Sequence, residues 1–191
     1  MASYSDDFDR ANGEIGAGWV EDVGDIDIVS NKASDQTSGG ASRLRYASAL
    51  DSANHEVQAD IDPGVNWGSI TARQASSTDT KYAVYYLGGW KSPGFVLQKY
   101  VAGSATTLDS ENTLGTAAET TVWLEVNGAV QIATLDAGYQ LDGTDSDITA
   151  GTYAGMSGGW DSGSTWNNWS AADLAAGGLS IPVVQHHLRR H

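Results

Sequence analysis

Asp142, Asp145 and Asp147 lie within the run Asp142-Gly143-Thr144-Asp145-Ser146-Asp147, and three carboxylates so closely spaced are the hard oxygen donors that a Ca²⁺ ion takes. The run is not an EF-hand, because its glycine is misplaced and no glutamate closes a twelve-residue loop. Acid–base chemistry has one candidate, Glu56-Val57-Gln58-Ala59-Asp60-Ile61-Asp62. On a strand rising ~3.3 Å per residue, Glu56 and Asp60 stand roughly 13 Å apart, too far for either a retaining or an inverting glycosidase pair. Asp60 and Asp62, about 6.6 Å apart, reach only the lower edge of the inverting range, and Pro63 ends the strand beside them. Nucleophilic catalysis finds no support. The chain has no cysteine and no G-x-S-x-G elbow, and His55 is its sole histidine before the last six residues.

Aromatic residues offer a different chemistry. Seven Trp and eight Tyr against two Phe favour rings that carry both a flat face and a polar handle, as in sugar stacking or interfaces. Trp67, Trp90, Trp160 and Tyr139 in glycine-rich surroundings, with Tyr85 on a strand, are the candidate ligand platform. Charge narrows the partners. There are 24 acidic against 10 basic residues, and two of the basic ones, Arg189 and Arg190, fall in the last three positions. A body this acidic repels phosphate backbones and is not expected to bind nucleic acid.

The elements that must position these residues are strands. Thr120–Leu135 places two Val/Leu/Ile/Thr/Trp runs around Asn127-Gly128, the signal for a hairpin with a two-residue type I′ turn, which would set Trp123 opposite Ile132. With apolar residues on both faces, this hairpin belongs inside a two-layer sandwich. Alternation predicts further strands over Ser5–Phe8, Asp25–Ser30, Arg43–Tyr46, His55–Asp62, Gly68–Arg73, Lys81–Leu87, Pro93–Val101, Ser104–Leu108, Tyr139–Leu141, Asp147–Gly151, Thr152–Ser157 and Trp166–Leu174. No stretch has a sustained helical period, so the chain reads as all-β, with one domain over residues 1–174.

From Ala175 the composition changes. A Gly177-Gly178 hinge leads to the apolar stub Ile181-Pro182-Val183-Val184 and a basic end with Arg189 and Arg190, read as an extended arm over 175–191. Ile181, Val183, Val184, Arg189 and Arg190 would carry assembly, either by adding a strand to a sheet edge or by pairing with an acidic body. No signal peptide and no apolar run of membrane-spanning length is seen, so no membrane role is expected.

In order, the chain carries S-D-D-F-D-R-A-N-G with Trp19, G-x-I-x-I at Gly24–Ile28, the strand pair over Phe95–Leu108, W-L-E-V-N-G at Trp123–Gly128, D-x-x-I-T-A-G at Asp145–Gly151, a glycine-rich strand, and W-N-N-W-S-A-A-D-L at Trp166–Leu174. This order resembles the concanavalin A-like lectin/glucanase jelly rolls over about residues 4 to 174. The resemblance implies two antiparallel sheets with the first and last strands adjacent. It also implies a second calcium candidate, Asp7 beside Asp173, where some members hold a structural ion. Family roles include lectins, carbohydrate-binding modules, laminarinase-like glycosidases and surface domains of bacteriophage virions. The sequence-level expectation is a non-catalytic surface recognition or assembly module. It would be a phage virion protein of capsid decoration, tail or fibre, partnered by virion subunits, by itself through the arm, or by a cell-surface glycan. A free-standing lectin-like module or a glycoside hydrolase is the alternative.

Overall fold

The structure, a computed structural model, describes residues 1–64, 67–88, 94–112, 114, 118–136, 138–159 and 163–175. Among these residues there are sixteen strands and no helix. In order they are β1 Ser3–Asp6, β2 Gly13–Glu14, β3 Trp19–Val23, β4 Ile26–Val29, β5 Lys32–Asp35, β6 Ser42–Tyr46, β7 His55–Asp62 and β8 Trp67–Gln74. Then come β9 Lys81–Leu87, β10 Phe95–Val101, β11 Ser104–Glu111, β12 Thr120–Asn127, β13 Val130–Leu135, β14 Gln140–Thr144, β15 Tyr153–Gly158 and β16 Thr165–Asp173. They form two antiparallel sheets. One has nine strands in the order β14-β13-β12-β7-β16-β5-β4-β2, with β1 also on β16; the other has seven in the order β11-β10-β9-β8-β15-β6-β3. This is the expected jelly-roll sandwich, with the first strand lying beside the last.

The sheets face one another across a single apolar core. Val57, Ala59 and Ile61 of β7 and Val122, Leu124 and Val126 of β12 meet Ile70 and Ala72 of β8 and Tyr82, Val84 and Tyr86 of β9. Period-two alternation sends the intervening residues outward on both sheets. At one end, Trp19, Tyr46 and Trp169 stack edge and face, with centroids 4.7 to 5.4 Å apart. The Trp19 indole also donates to Asp6, 2.8 Å away, and Arg10 grips the same carboxylate with both terminal nitrogens. Burial alone would raise the Asp6 carboxyl, but these donors outweigh it and hold it below the usual carboxylate range.

Three expectations are corrected. The central hairpin turns at Gly128-Ala129, not Asn127-Gly128, so Asn127 pairs with Val130, Glu125 with Ile132, and Trp123 with Thr134. Gly128 has φ +60°, while Ala129 keeps a negative φ, as in a turn that needs its glycine at the first central position. Asn54 Oδ1 accepts from the Gly128 N–H at 2.9 Å, which favours this turn over the one a residue earlier. Asp147–Gly151 is a connection, not a strand. Short strands β2, β3 and β5 add pairs that the alternation had not indicated. The arm with Ile181, Val183, Val184, Arg189 and Arg190 lies outside the described residues. Among the described residues, no helix is long and apolar enough to cross a membrane.

Candidate functional site

The outward face of the seven-stranded sheet is unusual for a face on which no third layer lies among the described residues. Ser69, Thr71, Ala83, Tyr85 and Ser157 are each no more than 5% exposed, although their side chains point away from the nine-stranded sheet. Register explains how they assemble. Arg43 of β6 lies beside Ser157 of β15, Ser157 beside Ser69 of β8, and Ser69 beside Tyr85 of β9. One step along, Arg45, Gly155, Thr71, Ala83 and Gln98 make a second row. Small side chains in the middle of both rows leave a floor between β6 and β9, three interstrand spacings or roughly 14 Å wide. The floor needs Gly155. A Cβ there would stand 2.1 Å from the Leu44 carbonyl oxygen and 2.9 Å from the Arg45 Cα, both backbone atoms.

A ladder of charges lies over this floor. Asp22 of β3 takes Arg45 Nε at 3.2 Å and Arg43 Nε at 3.7 Å, and accepts from the Gln74 amide at 3.0 Å. Gln74 Oε1 in turn accepts from the Thr71 hydroxyl at 2.7 Å. Asp79, in the turn before β9, sits between Arg43 Nη1 at 2.8 Å and Lys81 Nζ at 3.0 Å. Burial would raise the Asp79 carboxyl, but Lys81 and Arg43 overcome it and hold it low. Desolvation draws the Lys81 ammonium below its ordinary value, only partly offset by Asp79. The ladder also rests on rings: Arg45 stands 4.6 Å over Tyr153, and Lys81 stands 4.9 Å over Tyr100.

Aromatic groups mark the other flank. Trp67 meets Tyr85 edge-on at 4.8 Å, and Tyr85 lies 6.2 Å from Tyr100. Tyr85 shares hydrogen bonds with Tyr100 and Ser157, and Ser157 Oγ lies 2.6 Å from Ser69 Oγ. Burial pushes the Tyr85 phenol well above its ordinary value, and the Tyr100 contact adds to the shift.

Of the platform expected from sequence, Trp67 belongs to this site as a half-buried ring on its flank. Tyr85 belongs to it too, but as part of the buried floor and not as an exposed stacking surface. Tyr139 does not: it packs against the core beside the nine-stranded sheet. Trp90 and Trp160 lie outside the described residues.

The acidic candidates part company. Lys99 places its ammonium on the carboxylates of both Asp145 and Asp147, where an ion would have to sit. Asp145 also accepts from the Tyr82 hydroxyl at 2.8 Å. Asp142 lies on β14, accepting from Gln140 at 2.9 Å, and does not join them. Asp7 and Asp173 are separated by the pairing that was expected to unite them. Antiparallel β1 and β16 place Asp6 opposite Trp169 and Ser3 opposite Ala172, so Asp7 and Asp173 sit at opposite ends, about 16 Å apart along the strand. Asp173 instead accepts from the backbone N–H groups of Ala2 and Ser52, at 2.6 and 2.9 Å. Among the described residues, no three His, Asp or Glu side chains converge as a metal site.

Glu56, Asp60 and Asp62 point outward from the nine-stranded sheet, on the opposite side of the molecule from the charge ladder. Asp60 accepts from Thr121 at 2.5 Å and Asn168 at 2.7 Å, and Asp62 closes the turn to Gly64 at 3.0 Å.

The residues that define the site, Asp22, Arg43, Arg45, Gln74, Asp79 and Lys81, were not candidates from sequence. One signal was present: Arg43 and Arg45 alternate with Leu44 and Tyr46 in a chain with only ten basic residues.

No family model matches the chain, and no curated protein matches it either. Solved structures do. The carbohydrate-binding module CBM66 from Bacillus subtilis superposes with a TM-score of 0.71 at 17% identity, over 84% of this chain and 99% of that one. The VIP36 exoplasmic/lumenal domain in its Ca²⁺/Man3GlcNAc-bound form gives 0.64 at 10%, over 83% of this chain and 84% of that one. The CBM2 module of the evolved Dit of Lactobacillus casei BL23 phage J-1 gives 0.61 at 12%, over 88% and 95%. Glycoside hydrolases also appear among the matches. At these identities the likeness establishes the concanavalin A-like jelly-roll fold.

Proposed function

We propose that this protein is a non-catalytic glycan-recognition module that binds on the outward face of the seven-stranded sheet. One observation carries the reading: over a floor of short polar side chains, the planar hydrogen-bonding groups of the ladder stand beside the half-buried rings of Trp67 and Tyr100. Sugars present hydroxyls that pair with such fixed donors and acceptors, and C–H faces that lie on aromatic rings. The carbohydrate-binding and mannose-bound proteins among the similar structures support the same reading. Against catalysis stands the state of Asp79: a glycosidase keeps one carboxyl protonated, whereas Lys81 and Arg43 hold this one low.

The module's setting is proposed to be a phage virion surface, in a capsid decoration, tail or fibre component. The match to a module of a phage Dit supports this setting. Residues 175–191 would then be the attachment arm.

A glycan microarray probed with the full chain tests the binding site. Binding is expected, and Trp67→Ala should weaken it by about tenfold through loss of ring contact. An empty array, or unchanged binding by a folded Trp67→Ala protein, removes this face as the site. Mass spectrometry of purified phage particles tests the setting, since absence from the particle would end the virion reading alone. Light scattering on the chain with and without residues 175–191 tests the arm, which is expected to be needed for self-association or incorporation while the body stays folded.

A further inference from the structure

Resting on the glycan-binding reading, we infer that the sugar this face selects is acidic, bearing a carboxylate, sulfate or phosphate group that docks on Arg45 and Arg43. The chain carries a formal charge of −14, yet this face gathers Arg43, Arg45 and Lys81 against Asp22 and Asp79, a local net charge of +1 among the described residues. Other described cations are committed elsewhere. Arg10 is on Asp6, Lys32 on Glu119, Lys99 on Asp145 and Asp147, and Arg73 is buried on the carbonyls of Ala53 and Ile148. Charges farther than about 10 Å are screened at ordinary ionic strength, so an approaching ligand responds to the face more than to the whole acidic body.

Donors are also left over. Arg45 spends only Nε on Asp22, and its two terminal nitrogens donate to no described residue. The guanidinium is held between two contacts, its Nε on Asp22 and its carbon 4.6 Å over the Tyr153 ring. Arg43 Nε is buried without a hydrogen-bond partner, although Arg43 reaches both Asp22 and Asp79 as an ion pair. Lys81, with a side chain 5% exposed, directs one ammonium with three donors at a single carboxylate. A neutral sugar would leave this excess positive charge and these N–H groups unmet. A forked anionic group satisfies both, as guanidinium and carboxylate or phosphate do wherever they pair bidentately.

The experiment measures binding of the full chain to an array holding uronate, sulfate-ester and phosphate-ester glycans beside their neutral counterparts, at low and high salt. Binding is expected for acidic members, at least tenfold above their neutral counterparts, and should fall as salt rises. Arg45→Ala should lower it by at least tenfold, with Arg45→Lys recovering only part because the fork is lost. Asp79→Asn removes a competing carboxylate and should tighten acidic-glycan binding several-fold, a gain that a misfolded variant would not show. Equal binding of neutral forms, unchanged by Arg45→Ala, overturns the acidic assignment and leaves the glycan-binding face standing. Failure to bind any glycan overturns both.

Discussion

On the outward face of the nine-stranded sheet, Asp60 is met by neutral donors from Thr121 and Asn168, and Asp62 closes its own turn to Gly64. On the outward face of the seven-stranded sheet, Asp22 joins β3 to β6 and β8, and Asp79 joins β6 to β9 through cations. The first arrangement satisfies carboxylates individually, and removing one disturbs its neighbours only slightly. The second couples residues on four strands over a sunken floor, so each member orients the next. Sequence acidity is similar in both places; what separates them is where the few cations fall.

The largest expected effect that sharpens this contrast comes from the floor. In Gly155→Val the new side chain would meet the Leu44 carbonyl and the Arg45 Cα, backbone atoms that cannot turn aside. A loss of about 3 kcal/mol or more is expected, at the upper end of overpacking costs, read as a lower urea midpoint. A midpoint within error of the parent would show that the two rows do not pack as tightly as their register requires.

Next comes the joint between the sheets. His55 of β7 accepts the Arg73 N–H of β8 on Nε2 at 3.1 Å, and its Nδ1 lies 3.0 Å from the Ser52 carbonyl, the pattern of a neutral ring. Burial depresses its pKa from 6.5 to about 4, aided by the nearby Arg73 charge, although the Ser52 and Asp173 contacts pull the other way. Between about pH 6.5 and 4 the unfolded chain takes up a proton that the folded one refuses. Stability therefore falls as pH drops through that window and levels off below it, by ~3 kcal/mol for this group. Urea midpoints across that range, compared between the parent and His55→Gln, isolate the contribution. Parallel curves would mean that the ring is protonated in the folded state.

A smaller effect separates the faces by ligand. Trp123 is the counterpart of Trp67, half-buried on the other sheet with its indole donating to Gln58 at 2.6 Å. Trp123→Ala is expected to leave glycan binding within twofold, whereas Trp67→Ala costs about tenfold. Equal losses in a titration would place the sugar elsewhere or on both faces.

Fold class was legible because period-two alternation survives in strands such as His55–Asp62, where buried and half-exposed residues alternate without exception. The turn at Gly128 was misplaced by one residue because Asn127-Gly128 and Gly128-Ala129 both contain a suitable glycine, and only the distant Asn54 carbonyl favours one of them. β8 and β9 are buried on both faces, so their sequences Trp67–Gln74 and Lys81–Leu87 carry no sign of which residues face the core and which line a site. The ladder was illegible for a related reason. Asp22, Arg43, Gln74 and the local pair Asp79 and Lys81 are separated in sequence and meet only through the order β9-β8-β15-β6-β3. The Asp142, Asp145 and Asp147 run shows the converse: its carboxylates are neighbours in sequence, but the cation on two of them, Lys99, comes from more than forty residues earlier.

The smallest expected effect belongs to Asp60→Asn. One oxygen remains to accept from Thr121, and the new amide group faces the Asn168 side chain, whose own amide can turn to present its oxygen. Since both partners are neutral and the site is partly exposed, stability should change by no more than about 0.5 kcal/mol. Glycan binding should be unchanged. The same variant tests the glycosidase alternative: if the parent hydrolyses any glycan bound on the array, turnover should survive Asp60→Asn, because this carboxylate lies on the face away from the ladder. A variant that keeps its fold but loses turnover or binding would place the working face on the nine-stranded sheet and reverse the contrast between the two surfaces.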